Sequence, residues 1–93
     1  MALSAPRLFT LDYDLPGDVL YVSLAAPQPA LSMEVEPDVL LRYRPPALAV
    51  IGITFLNFRQ HFPALDPTQA LSCVMVVVEE FVRKYPTVPL QSR

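Results

Sequence analysis

The 93 residues hold one cysteine (Cys73), one histidine (His61) and two glycines (Gly17 and Gly52), so they are thin in three residue types that often carry chemistry. A lone cysteine cannot close an internal disulfide, so no oxidising compartment is implied. It also leaves no Cys/His cluster for zinc. Two glycines leave no glycine-rich loop for phosphate and no flexible Gly/Ser linker. Charge is sparse as well: 17% of residues are charged, against about 25% in an average domain. The net charge of −2 and the scattering of the seven basic residues argue against a nucleic-acid binder, which needs a basic face. They argue equally against docking on an anionic membrane surface. The longest mostly apolar run, residues 70–78, falls short of the about 20 residues a membrane-spanning helix needs. Residues 1–6 lack the basic start and apolar stretch of a secretory signal, and the expected location is the cytoplasm. No internal repeat stands out.

Apolar side chain, by contrast, is abundant. The chain is 53% hydrophobic, above the roughly 45–50% of soluble domains. A single domain over residues 1–93 is expected, and a domain this small buries only about 60% of its unfolded surface. The excess is most simply hidden by self-association, with a symmetric dimer favoured.

Eleven prolines punctuate the chain and leave five strand-like segments between them. In residues 8–14, Phe9, Leu11 and Tyr13 alternate with Thr10, Asp12 and Asp14, the period of a half-buried strand. The sequence Leu15-Pro16-Gly17-Asp18 predicts a turn, with a bulge nearby. Residues 19–24 return as a second strand, with Tyr13 opposite Leu20, Leu11 opposite Val22 and Phe9 opposite Leu24. A third strand is predicted over 31–36 and a fourth over 39–44. Glu34 is expected to oppose Arg42, and the connection to need an odd number of residues or a bulge. In the fifth, 48–57, Ile51 is expected opposite Leu41 and Ile53 opposite Val39. Val50 and Leu56 are expected on the other face, so that this strand is central or part of an interface.

Residues 58–65 show no regular pattern. A helix is then predicted from Asp66 to about Tyr85: Asp66 suits an N-cap, Pro67 the first helical position and Gln69 a capping box, while Pro86 stops it. The run of β-branched valines at 74 and 76–78 is the competing signal for a strand. Leu71, Val74, Val78, Val82 and Tyr85 share one face, and Ala70, Cys73 and Val77 make a second side apolar. The expected fold class is therefore α+β: an antiparallel β-meander of about five strands (9–57), a loop and one C-terminal helix packed on the sheet (58–85), and a tail (86–93).

The segment Tyr13-Asp14-Leu15-Pro16-Gly17-Asp18-Val19-Leu20-Tyr21-Val22 resembles the opening of a small bacterial family catalogued as domain of unknown function 2283, which has a Tyr-Asp pair, a three-residue spacer, Asp and an apolar-Leu-Tyr strand. Glu34-Val35-Glu36-Pro37-Asp38-Val39, Gly52-Ile53-Thr54 and Leu56-Asn57 resemble its later motifs, and the match covers residues 9–57. Two acids of the family pattern are Thr54 and Asn57 here, and the turn after the fourth strand is Arg44-Pro45-Pro46-Ala47. The resemblance implies antiparallel strands with a helix and no established activity. Some members of that family are encoded beside small toxin-like proteins, which implies an antitoxin-like, partner-binding role.

Candidate sites are few. Asp12, Asp14 and Asp18 crowd a turn where a hard cation would find oxygen ligands. The simpler reading is turn capping, and Ser23 stands where a calcium loop begun at Asp12 would need glutamate. Glu34 and Glu36 read as a solvated face, paired with Arg42 and Arg44. Cys73, inside an apolar helix, reads as inert. No cofactor and no metal are expected. The leading expectation is a non-enzymatic homo-oligomeric module whose interface holds Val50, Leu56, Met75 and Val77. A small-ligand binder or enzyme, with a pocket between sheet and helix lined by Tyr13, Tyr43 and His61, is the alternative beside the antitoxin-like one.

Overall fold

A computed structural model describes residues 10–69 and 71–89 of the chain, and the side chains of Leu71 and Ser72 are outside that description. Five strands form one antiparallel sheet: β1 (Thr10–Asp14), β2 (Val19–Ser23), β3 (Leu31–Glu36), β4 (Val39–Tyr43) and β5 (Val50–Phe55). A short helix α1 (Phe58–His61) follows β5, and a 3-10 turn (Leu71–Val74) leads into helix α2 (Met75–Lys84). The fold is α+β, as expected, with two helices rather than one.

The strand order is β1-β2-β5-β4-β3. It departs from a simple meander because β5 returns between the two hairpins and pairs with both β2 and β4. β5 is thus the central strand, with Ile53 and Phe55 buried in the core.

The β1–β2 register is the one the alternation predicts, with Tyr13 opposite Leu20 and Leu11 opposite Val22. The Phe9–Leu24 pair lies outside the described residues. The turn between these strands puts its left-handed residue at Asp18 (φ 56°), and neither glycine has a positive φ. The β1–β2 ladder itself carries no bulge.

The other two hairpins are offset by two residues from expectation. Met33 faces Leu41 and Glu34 faces Leu40, so Arg42 opposes Ser32 instead of Glu34. Leu41 faces Ile53 and Val39 faces Phe55. A two-residue offset preserves which side chains face the core, so the apolar pattern cannot detect it.

Bulges do change facing. The register shifts between Glu34 and Glu36, around Val35, and again where Arg42 pairs with Gly52 but Tyr43 pairs with Val50. The second shift leaves Ile51 as the extra residue and turns Val50 onto the core face, where it is 8% exposed. Val50 therefore belongs to the interior of this subunit and not to an outward interface.

Helix formation begins later than the cap signals predict. Asp66 Oδ1 accepts the backbone N–H and the hydroxyl of Thr68, and Gln69 N–H bonds to the carbonyl of Asp66. The Asp66 signal thus closes a local turn. From the 3-10 turn onward the inward face is Val74, Val77, Val78 and Val82, with Phe81 and Tyr85 beside them. Val77 is 9% exposed, so its place in an interface is also corrected; Val76, at 74%, is the valine that faces out. Met75 and Leu56 are half-buried.

Residues 86–89, the described part of the expected tail, return to the sheet. Thr87 bridges Ala49, Val50 N–H bonds to the carbonyl of Pro86, and Val88 N–H bonds to that of Leu48. Val88 is buried in the core.

Candidate functional site around the two hairpin turns

The turns of the β1–β2 and β3–β4 hairpins share a local sequence, Asp18-Val19-Leu20 and Asp38-Val39-Leu40. Both aspartates are left-handed, with φ 56° and 65°. Aspartate tolerates this region better than most residues. The two turns flank the junction where β5 passes into α1. The carbonyl of Asp38 accepts Leu56 N–H at 2.8 Å, and the carbonyl of Asp18 accepts Phe58 N–H at 3.0 Å.

The side chains repeat the arrangement. Both oxygens of Asp18 lie 3.1 Å from the backbone nitrogen of Arg59, so Asp18 caps α1 from across the fold. Asn57, the N-cap residue just before α1, is itself left-handed (φ 50°) and makes no side-chain cap. Instead its amide donates to Asp38 Oδ2 at 3.2 Å, and His61 Nε2 lies 2.8 Å from the same oxygen. His61 first and Asn57 second hold the Asp38 carboxyl below its ordinary range.

Beside Asp38, Glu36 Oε2 accepts Lys84 Nζ at 2.6 Å and the Tyr85 hydroxyl at 2.7 Å. These two donors, Lys84 first, lower the Glu36 carboxyl, and Glu36 in turn raises both partners. Glu36 is thereby taken by α2, and the expected pairing of Glu34 and Glu36 with Arg42 and Arg44 does not form. Glu34 instead accepts the backbone N–H of Asp38.

Between the β3–β4 turn, α1 and α2 lies a cleft of about 170 Å³. Its walls include Phe55, Phe58, Phe62 and Phe81, packed at centroid distances of 5.0–6.4 Å. Glu36, Asp38 and His61 stand at its polar side, and Leu56 lines it too.

Tyr13, Tyr43 and His61 do not share a pocket. His61 belongs to the cleft with Asp38. Tyr13 lines a separate polar depression with Asp18 and Arg59, and its hydroxyl pKa is raised, first by burial and then by Asp18. Tyr43 sits opposite Leu31 and Val50, at the far end of β4 from Asp38. Asp12 and Asp14 are exposed, while Asp18 is turned to α1. Among the described residues no cluster of three His, Cys, Asp or Glu side chains is placed to hold a metal ion. The Cys73 thiol is half-buried and donates to the carbonyl of Asp66 at 3.4 Å. Glu36 reads in the sequence as part of a solvated face with Glu34, and Asp38 and Phe81 do not stand out as site residues; the repeated Asp-Val-Leu triplet is the signal that marks the turn.

No helix of the described residues is long and apolar enough to cross a membrane. No family model, no curated protein and no solved structure matches the chain.

Proposed function

We propose that the chain is a non-enzymatic interaction module that pairs with a second copy of itself through the open face of its sheet. One face carries the helices and the core. On the other, Asp12, Tyr21, Thr54, Leu40 and Glu34 form one row across the five strands. Tyr21 is 43% exposed, Leu40 and Thr54 are half-buried, and no described element covers them. That aromatic and aliphatic centre, placed on a layer with only one partner layer, is the observation that carries the reading.

A two-fold axis along β5 lays Tyr21 of each copy over Leu40 of the other, a self-complementary contact. It also sets Asp12 over Glu34 at the rim, so added salt, which screens like charges, strengthens the pairing. With strands about 4.8 Å apart, the patch is roughly 20 Å wide, small beside specific interfaces, and a dissociation constant of tens of micromolar is expected.

Sedimentation velocity over a concentration series tests this. The wild-type chain should pass from monomer to dimer as concentration rises through that range. Tyr21→Lys should remain monomeric with an unchanged circular dichroism spectrum. A wild-type protein that stays monomeric at several hundred micromolar would overturn the reading.

A further inference from the structure

The cleft beside the β3–β4 turn combines two features that together specify a ligand. Its volume, about 170 Å³, is close to that of a cavity that accepts one benzene ring, roughly 150 Å³. Its walls are phenylalanine rings, of which Phe62 and Phe81 remain partly accessible. Its polar side carries two carboxylates, Glu36 and Asp38, with His61 on Asp38. Both donors to Asp38 fall on Oδ2 and both donors to Glu36 fall on Oε2. The second oxygen of each carboxylate has no protein donor among the described residues. Lys84 is committed to Glu36 Oε2, its ammonium over the Phe81 ring at 5.9 Å from the centroid.

An apolar volume of one ring, walled by aromatics and bordered by two carboxylates with acceptor capacity to spare, suits a cation with a compact apolar body. We propose that this cleft binds a small protonated amine carrying a single ring, the ring among Phe55, Phe62 and Phe81 and the ammonium at Asp38 Oδ1 and Glu36 Oε1. A carboxylate of the same shape would meet acceptor oxygens at Asp38 Oδ1 and Glu36 Oε1, whose basic neighbours are already committed, and is disfavoured. The site lies on the helical side of the sheet, so its occupancy is independent of pairing through the opposite face.

The test is an amide NMR titration of the full chain with benzylamine, benzyl alcohol and benzoate. Benzylamine should shift the amides of Glu36, Asp38 and Val39, of residues 56–62 and of Phe81 in a saturable way, with a dissociation constant of about 1 mM, as the size of so small a ligand allows. Benzyl alcohol should bind at least several-fold more weakly, and benzoate should not saturate. Asp38→Asn, which retains an acceptor and tolerates the left-handed backbone, should weaken benzylamine about fivefold or more and leave benzyl alcohol unchanged. If that variant does not fold, Glu36→Gln serves the same comparison. Leu56→Trp, which fills the cleft, should abolish both. Benzoate binding as tightly as benzylamine, shifts centred elsewhere, or undiminished binding to Leu56→Trp would each overturn the proposal.

Discussion

The Tyr13 hydroxyl donates to Asp18 Oδ1 at 2.7 Å, and the same carboxylate accepts the backbone N–H of Arg59 that opens α1. One turn residue therefore ties the edge hairpin to the first helix. Aspartate meets three demands there: a left-handed backbone, a cap for a remote helix and an acceptor for a phenol. Asp18→Ala loses all three and should cost about 2–3 kcal/mol. Asp18→Gly keeps the backbone and loses the cap, at about 1–2 kcal/mol. Tyr13→Phe removes one part-buried hydrogen bond, at about 1 kcal/mol. Urea denaturation of the three variants should rank them in that order; an Ala variant as stable as wild type would refute the capping role.

Glu36 links β3 to the end of α2, and pH should report it. Its folded-state carboxyl is held below the ordinary 4.5 by Lys84 first and Tyr85 next. A lowered carboxyl contributes stability that is complete above the unfolded value and is lost as pH falls through the folded one. Asp38, lowered from 3.8, acts in the same sense. The melting temperature should hold level near neutral pH and fall from about pH 4.5 downward. On the alkaline side, Lys84 is raised above 10.5 and Tyr85 above 10.0, so their contribution is lost as pH rises through those raised values. Glu36→Gln should flatten both limbs. Melting curves from pH 3 to pH 11 check this, and an unchanged profile in Glu36→Gln would exclude the linkage.

How much of this was legible in the sequence depends on what each pattern encodes. The β1–β2 register was readable over its described pairs because its turn has four residues and its alternation is unbroken, although the bulge expected nearby is absent from the ladder. Alternation fixes facing but not offset, so the β3–β4 and β4–β5 pairs were each displaced by two. Val50 was misplaced because a bulge at Ile51 inverts the phase; the adjacent Gly52, a lone glycine inside a strand pattern, is the one local mark of it. Asp66 has the chemistry of an N-cap and spends it on a turn with Thr68. The His61–Asp38 contact joins residues 23 apart and needs the return of β5 between two hairpins, a topology that no local pattern encodes.

The closing segment should be part of the cooperative unit. Val88 is 3% exposed and its N–H is bonded to Leu48. Val88→Ala should cost about 1–2 kcal/mol from lost burial alone. Val88→Asp would bury an unpaired charge and should cost more than about 3 kcal/mol, enough to unfold a chain of marginal stability. Hydrogen exchange gives an independent check: the Val50 and Val88 amides should be protected in the wild type and exchange fast in Val88→Asp.

Gly52 sits at the centre of the sheet, between Ser23 on β2 and Arg42 on β4. A Cβ added there would stand 3.0 Å from the carbonyl oxygen of Val22 and 3.3 Å from Arg42 Nη1. Two effects of opposite sign compete in Gly52→Ala. Reduced freedom of the unfolded chain favours alanine by roughly 0.5–1 kcal/mol. Crowding opposes it by about 1–3 kcal/mol where neighbours cannot yield. Arg42 can swing away, since its side chain is long. Val22 cannot, because its backbone lies in β2, held between β1 and β5. Crowding should therefore win, with a net loss of about 1 kcal/mol. The double-mutant cycle with Arg42→Ala separates the two neighbours. If Val22 is the obstacle, Gly52→Ala costs the same with or without the arginine; if the cost vanishes in the Arg42→Ala background, the guanidinium was the obstacle and the backbone argument fails.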